Sequence, residues 1–126
     1  MFGIALDHLH LRSLDPDAAG RFYVDHLGAT LADRVETGDS LRVVLSLAGV
    51  RLFIERAPAG MRAAADAPHR GLEHIGLKVD DLAAAAAALK AKGVAFTREP
   101  EEVRPGLRIA FIRGPDDVSI ELLQRG

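Results

Sequence analysis

The feature that most constrains the fold of this chain is an internal repeat with a spacing of 66 residues. The segments Leu6–Arg12 and Leu72–Lys78 share one pattern: apolar, acidic, His, apolar, any residue, apolar, basic. At the same spacing, the segment that ends in Glu55 corresponds to the one that ends in Glu121. Only 7 of the 126 residues are glutamate, so a match at a spacing already fixed by the histidines is rarely accidental. The chain is therefore predicted to contain a duplicated module.

Each copy begins with an alternating strand followed by a helix. The strands are predicted at about 4–12 and 72–79. The first helix has Asp15 as its N-cap and Pro16 at its first position, and it ends at Gly28. The second is capped by Asp80 or Asp81, contains the alanine run and ends at Gly93.

Three short strands complete each copy. Turn residues place them at about 29–36, 40–47 and 50–56, then 94–99, 107–113 and 118–124. At the 66-residue spacing, Arg42–Leu45 corresponds to Arg108–Phe111. The predicted plan is an α+β chain of two tandem βαβββ modules, about 1–57 and 71–126, joined by a linker over 58–70.

Strand parity predicts a candidate metal site. Side chains alternate between the two faces of a strand, so His8 and His74 lie opposite the apolar residues that suit helix packing. The same holds for Glu55 and Glu121 in the last strand of each copy. Two imidazoles and two carboxylates suit one divalent ion of Zn, Ni, Co, Mn or Fe, with positions left open for chemistry. We therefore predict these four residues as metal ligands.

Other polar residues have two interpretations each. His10 shares the face of His8 and would contact the outer side of the site or the substrate. Four basic residues would hold an anionic substrate at the mouth of the cavity, or would be ordinary solvated charges at a strand edge: Arg12, Lys78, Arg42 and Arg108. A single histidine beside strand hydrophobics is more often a structural residue than a ligand. The repeated pairing is what favours a metal.

Composition argues against several classes of protein. The formal net charge is −2, and basic and acidic residues are interspersed, so no field is expected to gather nucleic acid or a membrane surface. The longest strongly apolar run, Leu82 to Leu89, is far shorter than a membrane span. The absence of cysteine excludes thiolate ligands and fits a reducing compartment. We expect a cytoplasmic protein.

These residues resemble the vicinal-oxygen-chelate superfamily over nearly the whole chain. The resemblance rests on the order His, Glu, His, Glu and on the sequences Phe22-Tyr23, Glu73-His74-Ile75-Gly76-Leu77 and Gly114-Pro115-Asp116. It implies a single domain, residues 1–126, in which the modules form a curved mixed sheet around a cavity. The ligand set is similar to that of bacterial glyoxalase I. Asp117 departs from the pattern, since the family usually has glycine there.

The resemblance also implies a function. The expected activity is metal-dependent proton transfer next to a carbonyl by a lyase or isomerase, with Glu121 or Glu55 as the base. The substrate would be a small molecule with neighbouring oxygens, such as a glutathione hemithioacetal or a CoA thioester. Arg12 matches a glutathione-contacting arginine, and Arg104 lies in a segment similar to the substrate loop.

The resemblance leaves the subfamily and the assembly open. A methylmalonyl-CoA epimerase-like isomerase and a drug-binding protein of the bleomycin-resistance type are the alternatives. Relatives commonly form homodimers, so a homodimer is expected here, with each metal site within one chain or shared between two.

Overall fold

The computed structural model describes residues 2–126, so Met1 of the predicted first module lies outside the described residues. The chain divides into two compact units, with the break between Arg62 and Ala63. This break falls inside the predicted linker 58–70. Each unit is a βαβββ module with a four-stranded mixed sheet, which confirms the α+β class and the tandem plan.

The first unit contains one helix and four strands. Strand β1 runs parallel to β4, whereas β4, β3 and β2 are antiparallel neighbours. The order across the sheet is β1-β4-β3-β2. The elements are β1 (Leu9–Ser13), α1 (Pro16–Leu27), β2 (Thr30–Thr37), β3 (Ser40–Leu47) and β4 (Val50–Arg56).

Local sequence fixes both ends of α1 as predicted. The Asp15 carboxylate accepts a hydrogen bond from the Ala18 backbone N–H at 3.1 Å, and Pro16 occupies the first helical position. Gly28 closes the helix in the left-handed region with φ +73°.

The second unit repeats this plan. Its strand order is β5-β8-β7-β6, with β5 parallel to β8 and the other neighbours antiparallel. Of the two predicted caps of the second helix, Asp81 is the one that accepts the capping hydrogen bond. The elements are β5 (His74–Lys78), α2 (Leu82–Ala91), β6 (Phe96–Arg104), β7 (Leu107–Arg113), a short 3₁₀ turn (Pro115–Asp117) and β8 (Ser119–Arg125).

Each sheet buries one face under its own helix. In the first unit, Leu52 and Ile54 are buried, and a Cβ added to Gly20 of α1 would lie 3.1 Å from Val43. In the second unit, Ile112 and Ile120 are fully buried. Alternation along the same strands therefore directs Glu55 and Glu121 to the opposite, polar face.

Two predicted strand boundaries were wrong. β1 begins at Leu9 instead of residue 4, because the hydrogen-bonded ladder with β4 starts there. β6 continues to Arg104 instead of ending at 99, since its pairing with β7 resumes after each of three register shifts. Such irregular pairing leaves no alternating pattern in the sequence.

The predicted correspondence of Arg42 with Arg108 was also wrong. Across the sheet, Arg42 pairs with Glu55, whereas Arg108 pairs with Gln124 and Phe111 pairs with Glu121. The physical reason is the connection. β3 and β4 are joined by a two-residue turn, whereas β7 and β8 are joined by the longer stretch 114–118. The longer connection shifts the pairing of β7 with β8 by three residues relative to the pairing of β3 with β4.

No helix in residues 2–126 is both long enough and apolar enough to cross a bilayer.

Candidate functional site

In the second unit, β5 and β8 bring His74 and Glu121 together. The parallel register pairs His74 with Ser119 and Gly76 with Glu121, so the imidazole and the carboxylate are diagonal neighbours on the polar face. Nε2 of His74 lies 3.3 Å from Oε1 of Glu121. The His74 side chain is 32% exposed and that of Glu121 is 20% exposed, so solvent or a ligand reaches both.

The His74 ring is held on its other side by Glu73. Nδ1 of His74 lies 2.8 Å from Oε1 of Glu73, and the hydrogen bond from His74 lowers the pKa of the Glu73 carboxyl. Because the acceptor is a carboxylate, Nδ1 carries the proton of this bond. Nε2 is then the nitrogen that faces Glu121, and its lone pair is available to an electrophile.

This pair fits a metal ion chemically. An imidazole lone pair and a carboxylate oxygen 3.3 Å apart repel each other unless a proton or a cation lies between them. Ligand distances of about 2.0–2.2 Å place neighbouring N and O donors of a divalent ion roughly 3.0–3.4 Å apart. The observed separation is in that range.

Gly76 keeps the space in front of Glu121 open. A Cβ at this position would lie 3.7 Å from Oε1 of Glu121 and 3.6 Å from Cδ2 of Leu123. These are ordinary contact distances, so one methyl group fits beside the carboxylate.

A groove of about 730 Å³ in the second unit is lined by two residues that contact His74. Glu73 lines it, and so does Phe111, whose ring packs edge-on against His74 with 5.1 Å between centroids. The rest of the lining combines both charge signs with apolar groups, including Arg98, Arg113, Asp117 and Ala67. The groove is large enough for a small organic molecule.

In the first unit, Glu55 is surrounded by positive or polar groups. Across the sheet it pairs with Arg12 of β1 and with Arg42 of β3. Arg42 donates from both Nε and Nη2 to Oε1 of Glu55, at 3.0 and 2.8 Å. These hydrogen bonds lower the pKa of the Glu55 carboxyl, so it is ionised at neutral pH.

The histidine nearest to Glu55 is His10. Its Nε2 lies 3.7 Å from Oε1 of Glu55. Burial lowers the pKa of His10, and the neighbouring charge of Arg12 lowers it further. His10 is therefore neutral near pH 7, which is the form that binds a metal.

The imidazole of His8 lies 6.0 Å from that of His10, between ring centroids, and stacks on the face of the Phe53 ring. The His8 and Phe53 rings are stacked: the angle between their planes is 6°, and their centroids are 3.9 Å apart. Nδ1 of His8 lies 2.7 Å from Asp7, just as His74 is held by Glu73. In the described part of the chain, the polar contact of His8 is to Asp7 and not to Glu55. Its role as a ligand stays a prediction.

The two units therefore match in different ways. By sequence, His74 corresponds to His8, because each follows an acidic residue whose carboxylate contacts its Nδ1. In strand register, however, the equivalent of His74 is His10, because each lies two residues before the residue that pairs with the glutamate. This two-residue difference between the units is invisible to a fixed-spacing comparison of the sequence.

The predicted substrate-contacting residues lie on three different elements. Arg12 is next to Glu55 in the sheet and donates from Nη1 to the Arg56 carbonyl at 3.2 Å. Lys78 ends β5 on the His74 face, and Arg104 is exposed at the β6–β7 turn. Arg12 pairs across the sheet with the predicted ligand Glu55, and Nε2 of His10, the fourth residue predicted to contact substrate, lies 3.7 Å from Oε1 of Glu55.

Sequence reasoning missed two contacts of the predicted ligands. Arg42 was not matched to Glu55, because the repeat spacing aligned it with Arg108. Glu73 was noticed only as part of the repeated pattern, although an acid directly before each histidine is a usable signal for a hydrogen-bonded ligand. Among residues 2–126 no group of three or more His, Asp or Glu side chains is placed to hold an ion. Each unit, described by itself, offers a His–Glu pair.

The model of the glyoxalase/bleomycin resistance protein/dioxygenase superfamily matches residues 5–122 of this chain. A probable chloroplastic lactoylglutathione lyase of Arabidopsis thaliana is 47% identical over 57 residues, which is 44% of this chain and 16% of that protein. A probable lactoylglutathione lyase of Vibrio cholerae is 46% identical over 52 residues, 40% of this chain and 38% of that protein. The matched part of the chain thus spans less than two-fifths of either relative.

A solved structure extends the similarity to nearly the whole fold. Glyoxalase I from Zea mays superposes with a TM-score of 0.80 at 25% identity, covering 96% of this chain and 44% of that one.

Proposed function

This chain belongs to the glyoxalase/bleomycin resistance protein/dioxygenase superfamily, and on that premise we propose that it is a divalent-metal-dependent lyase or isomerase of the glyoxalase I type. The proposed reaction moves a proton next to a carbonyl of a small substrate that has neighbouring oxygens. The observation that carries the proposal is the His74–Glu121 pair, 3.3 Å apart, with His74 oriented by Glu73.

The proposed ligands are His8, Glu55, His74 and Glu121, from one chain or from two. A bound divalent ion would supply Lewis-acid polarisation of the substrate carbonyl. The donor set supports this assignment, because imidazole nitrogens and carboxylate oxygens are ligands that divalent transition-metal ions bind.

The chain's own residues supply the proton transfer and the binding. Glu121 is the proposed base, because its carboxylate is partly exposed and borders the open space kept by Gly76. Glu55 is the second candidate, but the guanidinium of Arg42 occupies its Oε1. Arg12 is proposed to contact an anionic part of the substrate.

The activity is tested with two substrates offered to metal-loaded and metal-free protein: the methylglyoxal–glutathione hemithioacetal, and methylmalonyl-CoA in D₂O. We expect turnover of the hemithioacetal only in the loaded protein, reduced about a hundredfold or more by Glu121→Gln. The control Glu102→Gln removes an exposed carboxylate of β6 and leaves the rate unchanged. Deuterium uptake by methylmalonyl-CoA alone would assign the epimerase-like alternative, and reaction of neither substrate would refute this proposal.

A second candidate function is sequestration of a small molecule, as in bleomycin-resistance-type proteins. The groove beside His74 favours it, because a volume of about 730 Å³ is sufficient to bind a ligand without chemistry. The two functions differ in their metal requirement. Binding of an unmodified compound that is unaffected by a chelator would support sequestration over catalysis.

We further propose that the chain is a homodimer. Phe2, Ile4 and Leu6 alternate along the N-terminal segment, and each is more than two-thirds exposed. Apolar side chains in such number are usually covered by a partner. A sedimentation mass of 13.5 kDa at micromolar concentration would identify a monomer and contradict the proposal.

A further inference from the structure

Arg42 and Glu55 form an ion pair in which both donors use the same carboxylate oxygen. Nε and Nη2 of Arg42 lie 3.0 and 2.8 Å from Oε1 of Glu55. The same oxygen is the one nearest to the His10 imidazole, with Nε2 at 3.7 Å. The guanidinium also lies over the Phe53 ring, 5.0 Å from its centroid. Arg42 is thus anchored on one side by the ring and on the other by the carboxylate.

Oε1 of Glu55 is a poor ligand for a metal ion while it accepts hydrogen bonds from the Arg42 guanidinium, because the two cations repel each other. Oε1 is the Glu55 oxygen nearer to the neighbouring His10 imidazole, so an ion held by Glu55 on the His10 side would bind this oxygen. Arginine stays protonated at all physiological pH values, so its positive charge remains beside any ion bound there. An ion on Oε1 would both displace two charge-assisted hydrogen bonds and repel the guanidinium.

The second unit has no such arrangement at its own glutamate. The residue opposite Glu121 in the β7–β8 ladder is Phe111, which carries no charge, whereas the residue opposite Glu55 in the β3–β4 ladder is Arg42. The two carboxylates are therefore chemically unequal, although the repeat makes them equivalent in sequence.

We propose that Arg42 is a resident cation that occupies Glu55 in the metal-free protein and is exchanged for the metal ion when the ion binds. This inference rests on the proposed function. It makes Arg42 a positioning residue: it keeps the Glu55 carboxylate oriented, and it lowers the affinity of the site for the ion. On exchange, the guanidinium is released from Glu55 while the Phe53 ring retains it, so its donors become available to an anionic group of the substrate.

The test is calorimetric titration of the metal-free protein with Zn²⁺ alone. Arg42→Met keeps an unbranched apolar stem as far as the ε position and removes the charge, and Zn²⁺ should then bind about tenfold more tightly, equivalent to about 1.4 kcal/mol. Arg42→Lys keeps the charge but loses the two-donor geometry, so we expect an intermediate gain. Arg108→Met is the matched control, because Arg108 lies 66 residues after Arg42 in the sequence but pairs with Gln124 instead of with a glutamate. It should leave the affinity unchanged.

The effect must also depend on Glu55. In a Glu55→Gln background, the gain from Arg42→Met should shrink to about twofold or less, since no carboxylate is left to exchange. Unchanged or weaker Zn²⁺ binding by both Arg42 variants would overturn the inference while leaving the metal site intact. If Arg42→Met does not fold, Arg42→Lys decides the question alone. Failure of every variant and of the wild-type protein to bind Zn²⁺ would overturn the proposed function, and the inference with it.

Discussion

Gly76 offers a way to separate the stability of the second sheet from its proposed metal site. Gly76 lies inside β5, directly opposite Glu121 in the ladder. Glycine inside a strand costs roughly 0.5–1 kcal/mol relative to alanine, and a Cβ here meets only ordinary contacts at 3.6 and 3.7 Å. Gly76→Ala should therefore raise the melting temperature by about 2–4 °C and leave Zn²⁺ affinity within about twofold of wild type.

Gly76→Val should behave differently at the site. Its two γ-carbons extend about 1.5 Å beyond Cβ and occupy two of the three staggered positions. A γ-carbon directed toward Oε1 of Glu121 or Cδ2 of Leu123 would crowd that atom, because the Cβ itself already lies at 3.7 and 3.6 Å from them. We expect this crowding to displace Glu121 from His74, and Zn²⁺ affinity should fall about tenfold or more.

The measurements are thermal unfolding of the metal-free proteins and Zn²⁺ titration of the folded ones. Comparing valine with alanine is informative because both remove the glycine and only valine crowds the carboxylate. Equal Zn²⁺ affinity in the two variants would show that Glu121 does not use the space in front of Gly76, and the geometric argument for this pair would be wrong.

Three further predictions concern other parts of the chain. Asp117 has φ +61°, so Asp117→Gly should raise the free energy of unfolding by about 0.5–1 kcal/mol in urea titrations; a loss would contradict the strain argument. The hydrogen bond from Arg34 lowers the pKa of Asp17, so Arg34→Met should lower the melting temperature by about 1–4 °C at pH 7. A depressed carboxyl pKa contributes stability above the ordinary Asp pKa of 3.8, and this stability is lost as the pH falls through the folded value. The difference between Arg34→Met and wild type should therefore shrink on acidification below pH 3.8, and a pH-independent difference would refute the argument. His8→Ala and His10→Ala should both weaken Zn²⁺ binding, because His8 is the proposed ligand and His10 lies beside it. Weaker binding in His10→Ala alone would show that His10, and not His8, is the ligand.

The sequence was sufficient for the features that depend on neighbouring residues. Asp15, Pro16 and Gly28 determine the ends of α1 through local hydrogen bonds and backbone preference, and the structure has the helix where these residues predict it. The paired strands β3 and β4 were also predicted at their observed limits, because a two-residue turn leaves little freedom in register.

Features that depend on pairing between distant strands were not predictable. The alternating pattern of residues 4–12 is compatible with a strand throughout, but a strand ends where its partner's hydrogen bonds end, and β1 begins at Leu9. The contact between Arg42 and Glu55 depends on the register of β3 against β4, and its absence at Glu121 depends on the longer β7–β8 connection. A repeat in sequence therefore predicted the equivalent glutamates but not their unequal surroundings.

The central claim is that the chain binds one divalent ion through the repeated histidines and glutamates, and elemental analysis after reconstitution tests it most directly. Wild-type protein dialysed after loading with Zn²⁺ or Ni²⁺ should retain about one ion per chain. The double variant His8→Ala, His74→Ala should retain none while keeping its fold by circular dichroism. A wild-type protein that stays empty in excess metal would contradict the claim, and so would a double variant that binds the ion as fully as wild type.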